Sequence, residues 1–322
     1  MPKLNKWNFT SKILLISVFS FSLSGGPLEA KAFIPGTGQR INRIFDDFED
    51  KQWYFHHNFP KSSYNMDRRE RLPIGVSQND LWYEGYKRGH PDVVKRVPTP
   101  PNGIAGSTGA LLLKTYSSGV PGRASRNSQQ DDFILDTTSV GQIRISDAPS
   151  VVVHVFLPPW DQWENATDSQ FGMRCCVLGK MPGGRVGGRY RRAGRIERYW
   201  PGMFIHFNSK DNGEPRDSAE LIIRGNQYGH DFNGPKINQT GWWTFGFSFT
   251  PDGAVHYYAS PGVDALTEQD HIVSHFPYGA KARILETLFI NVCNQNDKRT
   301  WSTEFIIDDP AIYLNRGKRS RR

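Results

Sequence analysis

The run Gly241-Trp-Trp-Thr-Phe-Gly-Phe-Ser-Phe249, followed by Thr250-Pro-Asp-Gly253 and Ala254-Val-His-Tyr-Tyr-Ala259, most constrains the fold. Side chains alternate across an extended strand, so Trp243, Phe245, Phe247 and Phe249 share one face, and Thr244, Gly246 and Ser248 share the other. Pro251 suits the first corner of a turn, and Gly253 can adopt the positive φ that closes it. The returning strand sets Val255, Tyr257 and Ala259 against His256 and Tyr258. The pattern predicts a hairpin with one apolar face in a core and a second face open to a ligand.

Other segments repeat the theme. Strands are expected at 44–49, 109–115, 132–135, 141–145, 150–156, 171–177, 202–207, 219–224, 288–293 and 304–314. A helical period shows only faintly, at 280–286. Turn residues separate the strands, and no internal repeat of the propeller kind occurs. The expected fold is all-β, a two-sheet antiparallel β-sandwich spanning 44–315. It carries a loop-rich insertion at 51–105 and an Arg/Gly loop at 179–198.

The first 32 residues read as a signal peptide. Lys3, Lys6 and Lys12 precede the apolar run Ile13–Leu23, and Ala30-Lys-Ala32 offers small residues for cleavage. That implies a secreted or periplasmic protein of about 290 residues, a linker at 33–43 and no membrane insertion. The formal charge of +8 is concentrated at the ends. The signal segment carries a net three positive charges and the tail 316–322 another five, so the folded body is close to neutral. Three cysteines make an odd count: either Cys175 or Cys176 bridges to Cys293, or all three are buried thiols.

The Asp46-Asp-Phe-Glu49 opening, the Gly241-Trp-Trp-Thr-Phe245 hairpin with its Pro251-Asp-Gly253 turn, and the closing Ile306-Ile-Asp-Asp-Pro-Ala-Ile-Tyr-Leu314 resemble concanavalin A-like lectin/glucanase jelly rolls. The likeness covers roughly 45–314 and is one of pattern. That superfamily contains laminarinase-like glycosidases, polysaccharide lyases and non-catalytic carbohydrate-binding domains. The resemblance implies a jelly roll whose curved sheet forms a ligand groove on its outer face.

Alternation names the residues expected there. Opposite apolar neighbours on their own strands lie His154, Arg174, His206 and Arg224, with Tyr258 from the hairpin; these would be the catalytic set if the protein is a lyase. Cys176, Asn208 and His256 share that outward placement. Trp160, Trp163 and Trp200 are candidate stacking platforms for sugar rings. Arg189, Arg191 and Arg192, in the Gly-rich 179–198 loop, are candidate grips for carboxylate or sulfate. Such a loop also suits nucleic acid, but the export signal argues against that partner. Asp46, Asp47, Asp308 and Asp309, at chain ends that meet in such sandwiches, are candidates for a structural Ca²⁺; the spacing elsewhere predicts no metal site.

Three chemistries compete. Retaining glycoside hydrolysis needs paired carboxylates, which laminarinase-like relatives carry as Glu-x-Asp-x-x-Glu, and no such run occurs here. β-Elimination on a uronate needs Arg, His and Tyr, which the groove set contains, yet the Arg-Glu-Leu-Arg and Gln-Ile-His segments of alginate-lyase-like relatives are missing. Binding an acidic polysaccharide without chemistry needs only platforms and cations. The expected order is binder, then lyase, then hydrolase.

Overall fold

The computed structural model describes residues 32–186 and 188–316, except for the side chains of Val186, Arg189 and Arg191. Residues 1–31, where the signal peptide is expected, and the tail beyond Arg316 lie outside the described residues. Every strand pairing among the described residues is antiparallel, and two sheets enclose a single core.

The back sheet has eight strands. Its order runs His271–His275, Val255–Pro261, Gly241–Phe249, Pro149–Leu157, Phe305–Leu314, Ala110–Lys114 and Val93–Val97, with Gln39–Arg40 added beside Phe305–Leu314. The front sheet has eleven. Its centre is Gly202–Asn208, Asp168–Lys180, Lys281–Asn294 and Gln129–Leu135. Alternation puts Val151, Val153 and Val155 of one sheet against Phe171, Met173 and Cys175 of the other, all at most 1% exposed.

The central hairpin forms as Gly241–Phe249 paired with Val255–Pro261. Gly253 sits at φ +94°, and its N–H donates to the Thr250 carbonyl at 2.8 Å. Its second face is not open. Thr244, Ser248, His256 and Tyr258 are all 4% exposed or less. A Cβ on Gly246 would lie 2.6 Å from Leu266 Cδ1 and 2.7 Å from Pro35 Cβ, so the chain around those residues covers the back sheet. The expected linker is therefore part of the fold: Ile41 N–H donates to the Ile312 carbonyl at 2.9 Å.

Three further expectations are corrected. No strand forms over 44–49. The Phe48 and Glu49 amides bond to the Asp46 and Asp47 carboxylates of their own segment, and Phe48 takes φ +54°, so no ladder can start there. The 280–286 segment is strand, within Lys281–Asn294, because its pairing with Asp168–Lys180 overrides a faint helical period. The 51–105 region is not an appendage. Phe55–His56, Val76–Ser77 and Trp82–Glu84 extend the front sheet, and Val93–Val97 the back one. The three cysteines are free thiols. Cys176 pairs in register with Thr287, six positions along the same strand from Cys293, too far for a bridge.

Candidate functional site

The outer face of the front sheet carries the groove. Two glycines make room for it. A Cβ on Gly172 would sit 2.6 Å from the Phe204 ring, and one on Gly202 would sit 2.3 Å from Arg174 Cγ. The Phe204 ring and the Arg174 stem therefore lie flat on the sheet. The Arg174 guanidinium stands 4.5 Å from the Phe289 ring centroid and 5.5 Å from that of Phe204.

Arg174 is 6% exposed and held from below. Its Nε donates to Asn291 Oδ1 at 2.6 Å. Asn291 Nδ2 donates to Asp132 Oδ1 at 2.7 Å, and Gln130 Nε2 donates to the same oxygen at 2.8 Å. Asp132 Oδ1 is 3.7 Å from Arg174 Nη2. Burial lowers the Arg174 pKa to about 10; Asp132 raises it, while Arg224 and Arg88 lower it. Arg174 still carries its charge at neutral pH. Arg88 and Arg224 have no ion-pair partner within 4 Å among the described residues, and the buried Arg224 Nε has no hydrogen-bond partner.

Arg88 and Arg224 mark the junction of two cavities that lie end to end along the strands, with Arg174 beside them in the larger one. The larger, about 690 Å³, is lined by Tyr83, Lys87, Arg198, Trp200, Ile284 and Phe289 among others. The smaller, about 460 Å³, is lined by Arg126, Ser128, Gln129, Asp168, Ser169 and Asp231 among others. Arg88 and Arg224 line both. Beyond the junction, Arg198 grips Glu286 with two bonds of 2.6 and 2.9 Å, and Cys176 donates to Glu286 at 3.2 Å. The Arg198 bonds hold the Glu286 carboxyl below its usual range, while burial and then Glu286 push the Cys176 thiol up to about 12. Lys87 Nζ lies 5.4 Å from the Trp200 ring.

The sequence candidates divide. Arg174, Arg224 and Trp200 line the groove. His206 and Asn208 belong to the neighbouring Gly202–Asn208 strand of the same sheet but line neither cavity. His154, His256 and Tyr258 are on the back sheet, so the shared face expected for them fails. His154 bonds to Thr244 Oγ1 at 2.9 Å, and His256 lies between Thr250 and Ser274; burial lowers both histidines to about 4.

The tryptophan loop is also corrected. Trp163 is 6% exposed, donates to the Pro158 carbonyl at 2.8 Å and packs on Phe207 and Phe305. Trp160 stacks on Phe207, with centroids 6.1 Å apart. Both rings close the sandwich edge and are not free platforms. The Arg/Gly loop forms a hairpin, Gly184–Val186 with Arg189–Arg191, and Ile196–Tyr199 joins the front sheet. Arg192 is exposed and lines neither cavity; the side chains of Arg189 and Arg191 lie outside the described part.

Sequence reading passed over Asp132, Asn291 and Arg88. The first two were within its reach, because Phe133 and Leu135, and Ile290 and Val292, are the core residues that turn them outward. Arg88 sits in a turn, where no periodicity points.

At the chain ends, Asp46 Oδ2 accepts from the indole N–H groups of Trp53 and Trp82, at 3.0 and 3.1 Å, and from Asn79 at 2.9 Å. Asp308 accepts from Ser107 at 2.9 Å. Among the described residues no three carboxylate, imidazole or thiol groups are placed to hold a metal. No described helix is long and apolar enough to cross a membrane.

No known protein family matches this chain, and no curated protein does. Solved structures do. The chain is similar to a conserved carbohydrate esterase from the Shiga toxin-encoding bacteriophage phi24B, at 10% identity over 73% of this chain and 91% of that one, with a TM-score of 0.41. It is similar to the VIP36 exoplasmic/lumenal domain in its Ca²⁺- and Man2-bound form, at 9% identity over 86% and 92%, with a TM-score of 0.39. It is also similar to the Bacteroides ovatus xyloglucan PUL GH43B, at 8% identity over 84% of this chain and 39% of that one, with a TM-score of 0.38. At these values nothing about ligand or activity is carried over from them.

Proposed function

We propose that this protein is an exported binder of acidic polysaccharide and that the ligand lies in the groove of the front sheet. One observation carries the reading. Arg88, Arg174 and Arg224 converge at the centre of the groove, and among the described residues only Asp132 lies within ion-pairing distance of any of them. Guanidinium forks bind carboxylate and sulfate in pairs of hydrogen bonds, and the two unpaired arginines have that capacity free. Trp200 beside them offers a flat apolar face for a sugar ring. The sequence of the first 32 residues supports export.

Binding without cleavage is favoured over elimination. No histidine lines either cavity among the described residues, and burial raises the Tyr83 phenol, the most enclosed tyrosine there, to about 12, which makes it a poor base at neutral pH. Asp132 and Glu286 do not form a hydrolytic pair. Asp132 pairs with Asn291, five positions along the strand from Glu286, so the two carboxylates stand roughly 16 Å apart at about 3.3 Å per residue. Paired catalytic carboxylates lie within about 5–9.5 Å.

The test is calorimetric titration with uronate and sulfated oligosaccharides, alongside an absorbance assay for unsaturated product. Arg224→Ala is expected to weaken binding about tenfold at 0.1 M salt and far less at 1 M, where the Debye length falls to about 3 Å. A loss that does not depend on salt would remove the charge reading, and product formation would restore the lyase. Trp200→Ala should lower affinity at every salt concentration with little change in melting temperature. Trp163→Ala should do the reverse, since its ring is core; matching effects from both would contradict this assignment.

A further inference from the structure

A buried polar cluster that the groove does not use joins the 51–105 segment to both sheets. Period two sends Asp131 inward with Phe133 and Leu135, and all three are fully buried. Lys61, 2% exposed, reaches it with Nζ 2.6 Å from Asp131 Oδ2. Asp92 and Thr115 arrive beside them because Val93 and Lys114 pair in register at adjoining strand ends. Lys61 Nζ stands 3.0 Å from Asp92 Oδ1 and donates to the His90 carbonyl at 3.0 Å. Gly89, at φ +77°, leaves space for the lysine stem, since a Cβ there would lie 2.9 Å from Lys61 Cδ.

The contacts fix where the protons are. Thr115 Oγ1 is within hydrogen-bond reach of both Asp92 Oδ2 and Asp131 Oδ2, yet a hydroxyl has one proton to give. One of the acids must supply the second. Asp92 Oδ2 also accepts from the Tyr116 and Ser117 amides, at 2.6 and 2.7 Å, which suits an anion. Asp131 Oδ1 is buried without a partner, which suits a neutral carboxyl. Burial raises the Asp131 carboxyl to about 7. Burial raises Asp92 too, but Lys61 and the two amides bring it below its usual range. An amine, a protonated carboxyl and a carboxylate base thus share one site closed to water.

We propose that Lys61 and Asp131 condense to an intramolecular amide, with Asp92 as the base. The Lys61 ammonium gives one proton to Asp92 Oδ1. Its neutral Nζ then attacks Asp131 Cγ, and the C–N bond forms. The added nitrogen passes a second proton to Oδ2, which already carries one, and the Cγ–Oδ2 bond breaks to release water. The last N–H keeps the His90 carbonyl as its acceptor, and Asp92 ends protonated. The step needs no oxidant and no cofactor. It also removes a buried charge pair, so burial favours the product. Reactants held in contact have effective concentrations of about 10⁵–10⁸ M, which lets so slow a reaction run to completion. The bond would staple the 51–105 segment to the front sheet across 70 positions of sequence. It is independent of the ligand in the groove.

The test is mass spectrometry of the purified full chain after denaturation. Set against Lys61→Arg and Asp131→Ala, and corrected for the substitutions, the parent should be lighter by one water. Its digest should contain a branched peptide joining the Lys61 and Asp131 segments. Asp92→Asn keeps an oxygen for the Tyr116 and Ser117 amides and should condense roughly a hundredfold more slowly, the low end for loss of a positioned base. The parent decides even if a variant fails to fold. A folded parent with Lys61 and Asp131 both free would overturn the proposal. So would a lost water without the branched peptide, since that marks a succinimide. Condensation of folded Asp92→Asn at the parent's rate would overturn the role given to Asp92.

Discussion

Phe247→Ala should lower stability by about 3–5 kcal/mol, the usual cost of deleting a ring from a packed core. At this chain length that corresponds to a drop in melting temperature on the order of 10 °C. Phe247 is 1% exposed and meets Tyr257 edge to face at 5.5 Å on the inner side of the central hairpin. The outer side is closed as well, so a second variant should cost as much for the opposite reason. Gly246→Val would drive its side chain into Leu266 and Pro35, whose atoms lie 2.6 and 2.7 Å from where the Cβ must be. Ser248→Ala fills no new space and should change little. Thermal and denaturant unfolding of the three variants decides the matter. If Gly246→Val were as stable as the parent, the covering of the back sheet would be wrong.

Lys61→Met should be nearly as damaging and should depend on pH. Lys61 is 2% exposed, and its ammonium lies 2.6 Å from Asp131 and 3.0 Å from Asp92, with a further bond of 3.0 Å to the His90 carbonyl. Removing one member of a buried ionic cluster leaves the rest uncompensated and costs about 3–5 kcal/mol. Burial raises the Asp131 carboxyl to about 7, against the pull of Lys61, because two acids share one cation. A carboxyl whose folded pKa exceeds its unfolded value keeps its proton in the folded state, so its contribution is present at low pH and lost as pH rises through the folded value. Asp92 is burdened by burial but held down by Lys61, and loses that support in the variant. Denaturant unfolding of Lys61→Met should therefore show a larger deficit at pH 8 than at pH 5. An equal deficit at both would mean that the cluster acts through packing alone.

The period-two pattern reached most of the core directly. Val151, Phe171, Met203, Leu221 and Phe245 all point inward, as their neighbours in sequence require. The same pattern turned Arg174 outward on Asp168–Lys180 and Arg224 outward just past the end of Ser218–Ile223, and both line the groove. It placed His154, His256 and Tyr258 outward too, and on their own strands they are. What misled was the step from outward to open.

Alternation is a local property of an extended backbone, and it tells which side chains share one face of one strand. It therefore determined the all-β class, the central hairpin and the inward half of nearly every strand. Which strands are neighbours depends on pairings such as Asn291 with Asp132 and Arg174 with Phe289, between segments more than a hundred residues apart, and no short-range period encodes those. Which outer face stays wet is decided still more remotely. The segments carrying Pro35 and Leu266 fold over the back sheet and bury its histidines, while among the described residues nothing comparable covers the front sheet where Arg88, Arg174 and Arg224 meet. The sequence alone determined the two faces of each strand, and only tertiary contacts, whose free energy comes from burying distant apolar surface, decided which face became the groove.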